Sequence, residues 1–206
     1  MRVILIGGPA CGKGVQANMI CEKYGLMHIG TGELLRDEIK SGTENSNKLK
    51  ELIASGSLVP DELVCDLVKS KVATANGNYL LDGFPRTMNQ AINFNDFDKV
   101  DLVILLETDF NITLKRVLNR RICLNCKASL SVDELKNGHC PHCSGTVSTR
   151  IDDNAEVFKN RYEIYKMQSA PLIKYYDDMG VLVRVQNNNS IDETFNQVKN
   201  ILSKFE

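Results

Sequence analysis

Val3-Ile4-Leu5-Ile6-Gly7-Gly8-Pro9-Ala10-Cys11-Gly12-Lys13-Gly14 decides the fold. The apolar run reads as a buried strand, the glycines as a turn, and the residues from Lys13 onward as the start of a helix. Gly7, four residues, Gly12 and Lys13 fit the phosphate-loop pattern. Glycines let the backbone curl so that consecutive N–H groups face an anion. The lysine reaches the outer phosphates, and the helix N-terminus adds its dipole. Gly14 stands where a Ser or Thr usually follows the lysine, and Val15 comes next. An ordinary Gly-Pro-Gly connection needs neither the lysine nor the flanking strand and helix, so the stretch is read as a nucleotide-phosphate site.

The 206 residues are 43% hydrophobic and 25% charged, which suits one domain with insertions or two small domains. A net charge of −1 argues against a general nucleic-acid or membrane surface. No apolar run approaches the ~20 residues that span a bilayer. The chain enters a strand at once, so the expectation is a cytoplasmic protein without a signal peptide. Of seven cysteines, four form two Cys-x-x-Cys pairs, which points to reduced thiols and a metal rather than a disulfide framework.

Val15 to Tyr24 has helical periodicity, and Gly25 is its expected C-cap. A short strand is expected over Leu26–Ile29 and a helix from Glu33 to Lys40, with Arg36 on its first turn. Further helices are expected from Asn45 to Ala54 and, behind Pro60, from Asp61 to about Ala75. Tyr79-Leu80-Leu81 reads as a buried strand ending at Asp82. Val100 to Leu106 is the most continuous apolar run and reads as a central parallel strand. Helices are expected over about 111–120 and 154–179, the latter kinked by Pro171. A last strand spans Val181–Val185, and Ser190-Ile191-Asp192-Glu193 opens a final amphipathic helix. Alternating strands and helices imply an α/β fold: a phosphate-loop core around a mostly parallel sheet, with a small helical insertion at 30–59.

Leu81-Asp82-Gly83-Phe84-Pro85-Arg86-Thr87, with Gln90, is the second constellation. A carboxylate at the C-terminal end of a buried strand is placed to order Mg²⁺, directly or through water. Gly83 permits close backbone approach, Arg86 can clamp a phosphate, and Gln90 can read both donor and acceptor edges of a base. The third is Thr31-Gly32-Glu33-Leu34-Leu35-Arg36, with the extended Gly56–Pro60 backbone offering carbonyls. The fourth is a set of arginines. Arg116 and Arg120 are four apart and are expected on one helix face; Arg150 precedes Asp152-Asp153, and Arg161 follows. Facing a polyphosphate, such a set stabilises developing charge. The fifth is Cys123-x-x-Cys126, thirteen residues, then Cys140-x-x-Cys143, a spacing that signals a tetrahedral Zn–S₄ site. Four thiolates leave no open position, so this Zn²⁺ is structural.

GGPACGKGVQ, TGELLR, GSLVP, LDGFPRTMNQ, NRRICLNC and the Arg150–Arg161 segment follow the order seen in adenylate kinases, and essentially the whole chain resembles the long form with a zinc-carrying lid. The resemblance implies a five-stranded parallel sheet with two mobile insertions. Residues 1–29, 60–119 and 158–206 would be the core, 30–59 the AMP-binding insertion and 120–157 the lid. It implies ATP + AMP ⇌ 2 ADP with Mg²⁺ in a monomer that binds neither nucleic acid nor membrane. Ala10, Cys11, Gly12, Lys13, Gly14 and Val15 would hold the ATP phosphates. Ser129, Leu130 and the carbonyl of Asn189 would lie against the rest of ATP. Thr31, Arg36, the backbone of Ser57, Leu58 and Val59, the run Gly83, Phe84, Pro85 and Arg86, and Gln90 would hold AMP. Arg120, on the ATP side, and Arg150 would stabilise the transferring phosphoryl group, Arg116 and Arg161 would complete the cage with Arg150 and Arg161 toward AMP, and Asp82 would hold Mg²⁺ through water. Other nucleoside monophosphate kinases, for UMP/CMP or GMP, and a non-catalytic nucleotide binder are the alternatives. The chain departs from the family pattern at Ala10, Cys11, Val15, Gly30 and Leu130. Ala10 tightens the loop if its φ is positive, Val15 removes a hydroxyl near the β-phosphate, and Cys11 is a candidate oxidation-sensitive thiol.

Overall fold

The computed structural model describes residues 1–42 and 46–205. In chain order the core begins with β1 (Arg2–Gly7), α1 (Lys13–Tyr24), β2 (Met27–Gly30), α2 (Thr31–Lys40), α3 (Ser46–Ser55) and α4 (Asp61–Val72). It continues with β3 (Tyr79–Asp82), α5 (Met88–Phe97), β4 (Leu102–Glu107) and α6 (Phe110–Asn119). The cysteine segment holds β5 (Arg120–Cys123), β6 (Ser129–Ser131) and β7 (Val147–Ser148). The chain returns through α7 (Ala155–Asp178), β8 (Leu182–Gln186) and α8 (Ile191–Leu202).

Five strands form one parallel sheet in the order β2-β3-β1-β4-β8. Successive side chains of a strand point to opposite faces, so a strand covered on both sides needs an unbroken apolar run. Val3–Ile6 and Leu102–Leu106 supply such runs. Ile4, Ile6, Leu81, Val103 and Leu105 pack on one face with Val68 of α4, Phe94 of α5 and Leu172 of α7. Val3, Leu5, Leu80, Ile104 and Leu106 pack on the other with Ala17 and Ile20 of α1 and Val198 and Leu202 of α8. The loop after β1 therefore leads to a helix on one face, and the loop after β3 to a helix on the other. A crevice opens between their carboxyl ends, the switch point where open α/β sheets bind ligands.

Several sequence expectations shift. The second strand ends at Gly30, and α2 starts at Thr31, which puts Arg36 on its second turn rather than its first. The Asn45 start expected for the next helix lies outside the described residues. α5 has no counterpart in the sequence reading. The helix expected to include Arg120 stops at Asn119, because Arg120 is extended (φ −67°, ψ 138°) and pairs with Ser131 in a three-stranded antiparallel sheet, β6-β5-β7. Arg116 and Arg120 thus do not share a helix face. α7 keeps Pro171 inside one long helix, as the sequence reading has it. Ser190 and Glu193 exchange the two hydrogen bonds of a capping box at the start of α8. Among the described residues no helix is long and apolar enough to cross a membrane.

Candidate active site

The loop between β1 and α1 takes its shape from two left-handed residues, Ala10 (φ 58°) and Gly12 (φ 95°). Ala10 adopts the positive φ that glycine would take without cost, which tightens the turn as expected. Lys13 folds back over the loop, its Nζ donating to the carbonyls of Gly7 (2.7 Å) and Gly8 (2.8 Å). Cys11 is 1% exposed, so bulk oxidants do not reach its sulfur. Lys13 Nζ lies 3.5 Å from that sulfur, so the expected positive neighbour is present and it is burial that argues against a redox-sensitive thiol. The Cys11 carbonyl is held by Arg116 Nη1 (3.3 Å) and by the Asn187 amide. Asn187, 4% exposed, also accepts from Thr194 Oγ1 at 2.8 Å, and its carbonyl accepts from Arg116 Nη2 at 3.1 Å. The sequence reading takes the Gln186–Ile191 loop as lying against ATP with the exposed Asn189 as its contact, and gives Asn187 no role of its own. Its partner lies 176 positions away.

Asp82 stands at the end of β3, opposite the first turn of α1. Burial works against its charge, but the His28 ring, Lys13 and Arg86 outweigh that and hold its carboxyl below the usual range. His28 Nε2 is 3.8 Å from Asp82 Oδ2. A Cβ built on Gly14 would reach only to 3.6 Å from Asp82 Oδ2, so room remains between the helix N-terminus and an ionised carboxylate. A hard cation held through water suits that donor.

On the other side of the crevice, Thr31 Oγ1 donates to the Gly83 carbonyl (2.8 Å), which also accepts from Arg86 Nε (2.9 Å). Gly83 has φ 80°, and a Cβ there would come within 2.9 Å of Thr31 Oγ1, so this close approach requires glycine. Arg86 is exposed at the crevice, with protein atoms dense around part of its guanidinium. Desolvation and the nearby Arg161 together lower its pKa to about 10. Gln90 is 2% exposed; its Oε1 accepts from the Arg86 N–H (2.7 Å) and its Nε2 donates to Asp61 Oδ1 (2.7 Å). Gly56 (φ 74°) lets the end of α3 touch α7: a Cβ there would lie 2.6 Å from Arg161 Cγ. Asn160 Nδ2 donates to the Ser55 carbonyl at the same contact (2.9 Å). Val59 and Phe84 are buried, and Phe84, fully enclosed, packs edge-on against Phe94. The Phe84 side chain is therefore a core residue, which leaves only its backbone available to the crevice.

The remaining arginines converge from the cysteine segment and α7. Arg120 is paired with Asp153 and Arg161 with Asp152. Arg150 has its pKa pushed down to about 10 by burial and by the charges of Arg120 and Arg36. Burial also lowers Arg36, against the pull of Asp152 and Glu33. Asp152 and Asp153 are paired with Arg161 and Arg120, which leaves Arg36 and Arg150 without a direct carboxylate partner among the described residues, an arrangement an anion would complete.

The four cysteines meet. Their sulfurs lie within 4.8 Å of one another, with Cys123–Cys143 at 3.4 Å and Cys126–Cys140 at 3.6 Å. Zn–S bonds of about 2.3 Å in a tetrahedron need sulfurs about 3.8 Å apart, so the cluster fits the metal. Burial opposes ionisation of Cys123, but the N–H groups of Cys126 and Asn125 and the Cys143 and Cys126 sulfurs bring it down to about 6. Leu130 is 4% exposed and packs with Cys123 and Cys140. Its side chain is enclosed beside the cysteine cluster, unlike the exposed Ser129.

Comparison with known proteins gives the same picture from another side. The family model described as adenylate kinase matches residues 5–181. The chain belongs to the adenylate kinase family. Curated adenylate kinases from Clostridium botulinum (strain 657 / Type Ba4) and Agathobacter rectalis are 38% and 37% identical over 99% of this chain, covering 99% and 100% of their own lengths. One from Caldicellulosiruptor saccharolyticus is 39% identical over 96% of this chain and 97% of its own. As a member of this family the chain is a phosphotransferase with nucleoside monophosphate kinase activity, and the five-stranded parallel sheet is the adenylate kinase core.

Proposed function

We propose that the protein transfers the γ-phosphoryl group of ATP to AMP, reversibly and with Mg²⁺, yielding two ADP. The observation that carries this is the convergence of Lys13, Arg36, Arg86, Arg116, Arg120, Arg150 and Arg161 on one crevice beside Asp82. The loop Ala10–Val15 cradles the donor phosphates with its N–H groups, and Lys13 exchanges the Gly7 and Gly8 carbonyls for phosphate oxygens. Ser129, the backbone of Leu130 and the Asn189 carbonyl cover the rest of ATP. Thr31, Arg36, the backbone of Ser57–Val59 and of Gly83–Pro85, Arg86 and Gln90 hold AMP, with its phosphate between Arg36 and Arg86. An AMP phosphate oxygen attacks the γ-phosphorus in line as the bond to the ADP leaving group breaks. Arg120 and Arg150 follow the charge on the transferring group, and Arg116 and Arg161 flank it. Such a reaction needs positioning and charge stabilisation more than covalent help. Mg²⁺, held by Asp82 through water, would neutralise charge shared between the β- and γ-phosphates.

The segment 120–157 acts as the lid, 30–59 as the AMP-binding insertion, and residues 1–29, 60–119 and 158–206 as the core. Zn²⁺ on Cys123, Cys126, Cys140 and Cys143 keeps the lid one rigid body, so that closure excludes water and motion falls at its ends. We read the protein as a cytoplasmic monomer. An acceptor panel tests the reading: ADP should form from ATP and AMP far faster than with CMP, UMP or GMP. A clear preference for a pyrimidine acceptor overturns it.

A further inference from the structure

The first residue of α4 carries a role that neither the reaction nor the family resemblance assigned to it. The Asp61 carboxylate bridges to α5 through both oxygens: Oδ1 accepts from Gln90 Nε2 (2.7 Å) and Oδ2 from Thr87 Oγ1 (2.8 Å). Thr87 in turn caps α5 by accepting from the Gln90 N–H (3.1 Å), and Gln90 Oε1 accepts from the Arg86 N–H (2.7 Å). The result is a closed ring joining Asp61, Thr87, Arg86 and Gln90. Asp61 directly follows Val59-Pro60, so the ring also ties the Ser57–Val59 backbone to the Arg86 loop.

We propose that Asp61 is a specificity-determining positioning residue that locks the sense of the Gln90 amide, so that the site takes a 6-aminopurine and rejects a 6-oxopurine. An ionised carboxylate only accepts hydrogen bonds and a backbone N–H only donates. Two neighbours of fixed and opposite character therefore set Nε2 toward Asp61 and Oε1 toward Arg86. Each uses one hydrogen-bonding position of the amide. One donor on Nε2 and one acceptor on Oε1 remain, in a sense that cannot reverse without setting like groups against each other. Adenine presents an amino donor beside a ring acceptor, which this pair complements. Hypoxanthine presents a carbonyl oxygen in place of the amino group, and the fixed Oε1 then meets an acceptor. An unlocked glutamine could turn over and accommodate either base. Burial makes the lock effective, because Gln90 is 2% and Thr87 8% exposed, and water does not substitute for a missing partner.

The inference rests on Gln90 reading the base, and the experiment separates the two. Rates are measured with AMP and with IMP as acceptors, both against saturating ATP. Asp61→Ala should raise the KM for AMP about tenfold and cut the AMP-to-IMP ratio of kcat/KM about tenfold, the cost of one charge-assisted hydrogen bond. The KM for ATP and kcat with AMP should stay within about twofold. Asp61→Asn keeps one acceptor oxygen and the same shape, and should cut the ratio only about threefold. It carries the test if the alanine variant folds poorly. Gln90→Ala should abolish most of the discrimination, and Asp61→Ala should then add nothing to it. An unchanged ratio in both Asp61 variants, with Gln90→Ala showing its loss, overturns the lock alone. An unchanged ratio in Gln90→Ala overturns base reading by Gln90, and the lock falls with it. A uniform loss of kcat for both acceptors would mark Asp61 as merely structural.

Discussion

The core and the cysteine segment reach order by opposite means. The sheet is buried on both faces by two apolar clusters, and Tyr79, Leu80 and Leu81 of β3 are wholly enclosed. The cysteine segment has a hydrophobic cluster of just Cys123, Leu130 and Cys140, with Ala128, Leu135 and Val147 partly covered. Burial worth about 1.5–3 kcal/mol per large side chain suffices for the first and not for the second. A region with so little core needs a cross-link, and four sulfurs at tetrahedral spacing supply the place for one. The division also suits the chemistry. The phosphate loop sits on the part ordered by its own core, while Arg120 and Arg150 sit on the segment that carries the four-cysteine cluster.

Perturbing each region in turn tests the contrast. The largest effect expected is Cys140→Ser, which should take bound zinc to near zero and melt the lid at a temperature where the core still stands. Metal analysis and a two-step thermal transition check it; a single unchanged transition would place the lid's stability elsewhere. Lys13→Ala should lower kcat about 100- to 1,000-fold and leave the melting temperature within about 3 °C, since the lysine stabilises charge rather than packing. Leu81→Ala should cost about 2–5 kcal/mol of global stability in denaturant and leave zinc content untouched. If it strips zinc as well, core and lid are not independent. The smallest is Val15→Thr, which restores a hydroxyl beside the donor phosphates and should lower the KM for ATP about threefold with no change in melting temperature.

What could be read in advance was local. Strand, turn and helix lie consecutively at Val3–Tyr24, and the four-cysteine cluster is a matter of spacing within one segment. Ser190 and Glu193 announce α8 by a pattern four residues long. α5 went unread because its sequence, MNQAINFNDF, is polar, though Thr87 as a cap and Ala91 and Phe94 three apart were a usable signal. Arg120 was misplaced because helix periodicity continues through it, while pairing with Ser131 draws it into a strand. The ring around Asp61 and the hold of Asn187 on Cys11 join residues 29 and 176 positions apart. No local pattern encodes such contacts; they exist only once the sheet has brought the loops to one edge.

Gly56 shows how finely the distance between the two halves of the site is gauged. The missing side chain is what lets the tip of the 30–59 insertion rest on Arg161 and Val157 of α7. Carbon atoms in ordinary contact stand about 3.5–4.0 Å apart. A methyl group at position 56 would meet Arg161 Cγ at 2.6 Å and so hold the insertion back by about 1 Å. In a displacement reaction, misplacement of about 1 Å can cost about 100-fold in rate. One absent methyl group is thus a spacer of zero thickness, setting how near the end of α3 can be brought to α7.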